Sequence, residues 1–167
     1  IFTTDMLPDD EKVLLVSAGE DSDQVKLVKK DFGYEPQKAR NHFLLNMGTG
    51  TFGDIAYMTR TFATDWSWAV LIQDFDNDTR PDIFVTNGIV RRPNDLDYIS
   101  FLNEMDNKNP ASVPDRTRKL IEKMPSQPLK NRLFLQEDKL SFQSFEIGKA
   151  SFSNGAAYAD LDNDGDL

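Results

Sequence analysis

The chain has 167 residues and a formal charge of −9, with 28 acidic side chains against 19 basic ones, a size that suits one ordinary domain. No basic stripe is available to neutralise phosphates, which excludes nucleic acid as a partner. The absence of cysteine excludes disulfides and thiolate metal sites, and no apolar run is long enough to span a bilayer. Taken in order, residues 7–40 form a charged, Pro-interrupted insertion. His42–Asn46 then reads as a short strand, and Met47-Gly-Thr-Gly as a hairpin turn whose glycines supply positive φ. Thr51–Tyr57 is its expected partner strand. Trp68–Gln73 is a nearly unbroken apolar run, the pattern of a strand buried on both faces. After an acidic loop, Ile83–Thr86 reads as another strand. A second insertion, 88–130, has helical spacing at Tyr98–Asn103 and Arg116–Met124, with Pro114 and Asp115 as a helix start. Arg132–Gln136 and Ser141–Ile147 predict a second hairpin. Gly155–Ala159 predicts another buried strand before a second acidic loop.

The two acidic loops carry the chemistry. Asp74-Phe-Asp-Asn-Asp-Thr-Arg-Pro-Asp82 is nearly copied by Asp160-Leu-Asp-Asn-Asp-Gly-Asp-Leu167. Carboxylates at alternate positions of a tight loop converge on one point, and a hard cation with six to eight oxygen ligands suits them. In the first loop, Asp74, Asp76 and Asp78 offer one oxygen each. The Arg80 carbonyl adds one and a bidentate Asp82 two, which brings the count to about six. Calcium is therefore the expected ion. Without it, each carboxylate pair about 4 Å apart costs roughly 1–4 kcal/mol. An EF-hand has the same first three acids but needs a bidentate Glu at position 12 and flanking helices. Position 12 here is Val85, inside a strand pattern, so the loop joins two strands and the EF-hand reading fails.

The chain also repeats itself. Ile1-Phe-Thr-Thr-Asp resembles Ile83-Phe-Val-Thr-Asn, an offset of 82 from 1 to 83. Asn41-His-Phe-Leu-Leu-Asn resembles Asn131-Arg-Leu-Phe-Leu-Gln, an offset of 90 from 41 to 131. Ser67 to Asp74 resembles Ser153 to Asp160, an offset of 86. Four short strands per repeat predict an all-β architecture of four-stranded antiparallel β-propeller blades with helical insertions. On that division residues 1–67 end one blade, with the insertion 7–40. Residues 68–147 form a complete blade with the helical insertion 88–130, and 148–167 start the next. The chain is then expected to be a fragment of a larger propeller, prone by itself to expose strand edges and aggregate.

Asp-x-Asp-Asn-Asp-x-x-x-Asp before a short strand, together with Asn-x-Phe-x-x-Asn-x-Gly-x-Gly-Thr-Phe from Asn41 to Phe52, resembles the FG-GAP/VCBS repeat. It is especially similar to cell-surface proteins related to the cartilage acidic protein, with ASPIC/UnbV-type relatives. The resemblance covers 1–5, 41–87 and 131–167. It implies a calcium-bound propeller, commonly of seven blades, like the integrin α-subunit head. It carries over Asp74, Asp76, Asp78, Asp82, Asp160, Asp162 and Asp164 as side-chain ligands, and Arg80 and Asp166 as carbonyl donors. Thr79 departs from the glycine found at the equivalent Gly165. A β-branched residue there resists positive φ, so a distorted or weaker first loop is expected. Trp66 is expected to cap the blade or line a surface, and Trp68 to enter the core.

No catalytic constellation stands out: no nucleophile elbow, no Gly-rich phosphate loop and no zinc spacing. The one histidine, His42, is expected at a strand rim. The expected function is therefore a non-enzymatic calcium-binding module of a secreted or cell-surface protein, with calcium in a structural role. It would bind a cell-surface protein or a glycan, and family analogy adds an outer-membrane uptake complex or lipoprotein. The alternative is the propeller portion of a carbohydrate-active enzyme resembling a polysaccharide lyase.

Overall fold

The computed structural model describes residues 1–19, 21–106, 113–162 and 164–165. They form two compact units: 1–9, 40–90 and 126–167 make the first, and 10–39 with 91–125 make the second.

The first unit holds two antiparallel sheets. One has three strands in the order β1 (Phe2–Thr3), β2 (His42–Asn46) and β3 (Phe52–Asp54). The other has four: β4 (Ser67–Gln73), β5 (Asp82–Asn87), β6 (Leu129–Asp138) and β7 (Ser141–Ser151). The repeat seen in sequence is reproduced in register. Phe2 pairs with Phe43 and Thr3 with His42, as Phe84 pairs with Leu133 and Val85 with Arg132. Leu44, Leu45 and Asn46 face Asp54, Gly53 and Phe52, as Phe134, Leu135 and Gln136 face Ser144, Gln143 and Phe142. The three-stranded sheet is thus a copy of β5-β6-β7.

The sheets share one core. Phe2, Ile83, Val85 and Phe134 are buried together, with Phe43, Val70 and Phe142 packed against them. The Phe43 ring meets Phe2 edge-on at 5.5 Å and Phe142 at 5.9 Å, so it joins one sheet to the other. Each such side chain contributes about 1.5–3 kcal/mol by leaving water. A chain of buried polar groups makes the same link. Asn41 Nδ2 donates to Thr64 Oγ1 at 2.6 Å, and Thr64 and Ser67 share a hydroxyl bond at 2.6 Å. Ser67 Oγ then donates to Asn87 Oδ1 at 3.1 Å, and Asn87 Nδ2 donates to the Lys130 carbonyl. Such a network adds stability only when its members are satisfied.

Three expectations change here. Trp68–Gln73 does form a strand, but β4 lies at the sheet edge, with Trp68 46% and Ile72 47% exposed. Trp68 is not core; its Nε1 donates to the Gly88 carbonyl at 2.7 Å. Burial on both faces belongs instead to β5, which has a hydrogen-bonded neighbour on each side. Gly155–Ala159 forms no strand and is largely exposed. Its neighbour Ser153 donates its N–H to the Asn87 carbonyl at 3.0 Å, repeating the bond from Ser67 to the Asp5 carbonyl. Beyond that bond, no described strand lies beside Gly155–Ala159 to complete a ladder. Finally, β3 spans Phe52–Asp54 rather than Thr51–Tyr57, because the chain turns at 56–60. Gly88 is needed where it stands: at φ 121° its Cβ would meet the Ser151 carbonyl oxygen at 2.8 Å.

The second unit is helical. α1 (Glu11–Val16) is capped by Asp10, whose carboxylate accepts from the Lys12 and Val13 N–H groups. α2 (Asp23–Asp31) is capped by the Ser22 hydroxyl. Neither helix was expected from the sequence. α3 (Leu96–Asp106) and α4 (Val113–Lys123) fall on the two segments with helical spacing. A bridge between Ser17 and Asp95 ties the two insertions together. Among the described residues no helix is long and apolar enough to cross a membrane.

Candidate metal centre

The first acidic loop leaves the edge strand β4 at Gln73 and re-enters the sheet at Asp82, the first residue of β5. Asp74 organises the turn. Its Oδ1 accepts from the Asp78 N–H at 3.0 Å and its Oδ2 from the Thr79 N–H at 2.7 Å. Asn77 and Thr79 take left-handed backbone angles, with φ of 61° and 72°. This folds Asp74, Asp76 and Asp78 onto one another, so that one oxygen from each lies within 4.8 Å of the others.

The described residues of the second loop repeat the closing bond and the cluster. The Gly165 N–H donates to Asp160 Oδ2 at 2.9 Å, and Gly165 has φ 98°. Oxygens of Asp160, Asp162 and Asp164 again lie within 4.8 Å of one another. Asp166 lies outside the described residues. Thr79 adopts the left-handed backbone that Gly165 adopts, against the preference of a β-branched residue.

Asp82 has a different setting from the three loop acids. It is fully buried. Its Oδ2 accepts from the Phe75 N–H at 2.9 Å and its Oδ1 from the Gln136 N–H at 2.8 Å. It closes the loop behind Asp74 and fastens it to β6. Arg80 reaches back over the loop: its guanidinium is paired with Asp78 and also donates from Nε to the Gln136 carbonyl at 2.7 Å. Neither side-chain role was read from the sequence, although Arg80 is a cation set among acids.

Electrostatics follow from the crowding. Desolvation, then the charges of Asp78, Asp82 and Asp74, push the Asp76 carboxyl above its ordinary value. The donor set is all oxygen and strongly anionic. It fits a hard divalent cation held by Asp74, Asp76 and Asp78, with Asp160, Asp162 and Asp164 as a second set.

Residues 10–85 match the family model of the FG-GAP-like repeat. This segment is similar to the FG-GAP-like repeat. The FG-GAP match takes in β2 to β4, the first acidic loop and the start of β5 as far as Val85, and it also spans the helical insertion 10–39. No curated protein and no solved structure matches the chain.

His42, away from these loops, is not poised as a base. Its Nδ1 is 2.7 Å from Asp54 Oδ2, which also accepts from Arg40 at 2.6 Å. Arg40 is itself buried and stacks over the Tyr57 ring, 4.6 Å from its centroid. The group pins β3 to the start of β2.

Proposed function

We propose that the chain is a calcium-stabilised part of a β-propeller, its two sheets being successive blades, in a secreted or cell-surface module that binds a protein or a glycan. The observation that carries this reading is the duplicated loop. Two carboxylate triads 86 residues apart share one turn, each closed by an N–H donated to the first aspartate. A solvated acidic turn has no need of such duplication. A structural ion at each loop neutralises the triad and fixes the strand that follows it.

The ligands of the first site are Asp74, Asp76 and Asp78, with the Arg80 carbonyl and Asp82 completing it. Those of the second are Asp160, Asp162 and Asp164, with the Asp166 carbonyl. Binding of a partner falls to the helical insertions, where Leu15, Leu27, Phe32 and Tyr34 stand exposed. Exposed large apolar groups of that number suit an interaction surface. Equilibrium dialysis against calcium tests the metal assignment. The chain is expected to retain calcium and to lose part of it on Asp76→Asn. A chain that retains none overturns the assignment.

A further inference from the structure

The side chain of Arg80 is a second cation source for the first loop. Its backbone N–H donates to Asp78 Oδ1 at 2.8 Å, while its guanidinium is paired with Asp78 Oδ2. Both oxygens of one loop carboxylate are thus engaged by one residue. The same guanidinium holds the Gln136 carbonyl, and Gln136 in turn gives its N–H to Asp82. The loop therefore grips the main chain of one β6 residue from both sides, once with a positive group and once with a negative one. The second loop has Asp166 at the position of Arg80, so this cation belongs to the first loop alone.

We propose that Arg80 is a tethered counter-cation of the first loop. It neutralises Asp78 when no ion is bound, keeps the loop docked on β6, and lowers the loop's affinity for a divalent cation by competing for the same carboxylate. This rests on the calcium reading above. A guanidinium is always charged and delivers its donors in a fixed fork, so it can hold a carboxylate and a carbonyl together. A lysine keeps the charge but delivers it as a point. The pair is 44% and 22% exposed, so solvent screening keeps the effect moderate.

The test is calorimetric titration of calcium into the full chain carrying Asp162→Asn, which weakens the second site, with and without Arg80→Gln and Arg80→Lys. Melting temperatures are measured in excess chelator alongside. Arg80→Gln is expected to bind calcium on the order of tenfold tighter, since a unit positive charge close to the ion is removed. The same variant is expected to melt lower in chelator. Arg80→Lys is expected to stay near the parent affinity, because the charge remains. Equal or weaker binding by Arg80→Gln, with the parent still binding, overturns the proposal and makes Arg80 an aid to Asp78. An unchanged melting temperature in chelator overturns the docking role. If neither parent nor variants bind calcium, the calcium reading itself fails and takes the competition with it.

Discussion

The backbone N–H of Asn87 donates to Asn131 Oδ1 at 3.1 Å, and the same bond recurs between Asp5 and Asn41 at 2.9 Å. In each sheet an asparagine, Asn41 just before β2 and Asn131 near the start of β6, catches the chain as it leaves the neighbouring strand. Asn41 does more: it is 1% exposed and also donates to the Thr61 carbonyl and Thr64 Oγ1. Asn41→Leu leaves these buried partners unsatisfied and is expected to destabilise the chain by about 2–4 kcal/mol. Asn131→Leu is expected to cost about 1 kcal/mol. Urea unfolding of the two variants gives the comparison, and equal losses would contradict the network's role in joining the sheets.

Asp54 makes an acid-sensitive tie. Desolvation pushes its carboxyl up, but hydrogen bonds from Arg40, the Ala56 N–H, His42 and the Phe43 N–H outweigh it and hold the group well below the usual carboxylate range. A depressed folded value adds stability that is fully present above the unfolded value and is lost as pH falls through the folded one. Asp54→Asn is therefore expected to cost about 2–3 kcal/mol at neutral pH, and progressively less below about pH 4. Unfolding measured across pH 2 to 7, on the order of one unit per step, resolves this difference. A penalty that stays constant to low pH would rule the ion pair out as its source.

Thr79 sits at φ 72°, a conformation that costs a β-branched residue about 1–2 kcal/mol. Glycine removes that strain but loosens the unfolded chain, which offsets part of the gain. Thr79→Gly is expected to raise stability by about 0.5–1 kcal/mol. A loss of stability would mean that the threonine side chain holds the loop in some other way.

Asp76 has the opposite sign to Asp54. Its folded carboxyl is raised, so its ionised form detracts from stability above that value, and stability is recovered as pH falls through it. In chelator at neutral pH, Asp76→Asn is expected to melt above the parent. With calcium present the order reverses, because the parent gains an ion that the variant holds poorly. A variant less stable than the parent in chelator would show that Asp76 has a favourable partner without metal.

Much of this was legible from residue spacing. The offsets that align Phe2 with Phe84 and Phe43 with Leu133 became identical strand registers, because a one-residue slip would turn every core side chain outward. The strand at position 12 of the acidic loop was legible for a similar reason: Ile83 and Val85 alternate about Phe84 and both are buried. An apolar run does not say whether a strand lies at the centre or the edge of its sheet, so the burial on both faces expected of β4 is found in β5 instead. Gly155–Ala159 has the composition of a strand but no ladder partner among the described residues, and hydrogen bonds rather than composition make a strand. The α1 and α2 helices are short and charged, and their caps Asp10 and Ser22 are the only clear sign of them in sequence. The backbone bonds of Asp82 are not legible in sequence, where a carboxylate that also accepts from backbone N–H groups looks the same as one that binds only a metal.

The most direct measurement is thermal unfolding of the chain in excess chelator, in millimolar calcium and in millimolar magnesium. A rise in melting temperature with calcium, not matched by magnesium and diminished by Asp76→Asn, is the expected result. Identical melting in all three would contradict structural calcium and leave Asp74, Asp76 and Asp78 as an acidic turn held by Arg80, Asp82 and the bonds from the loop's own N–H groups to Asp74.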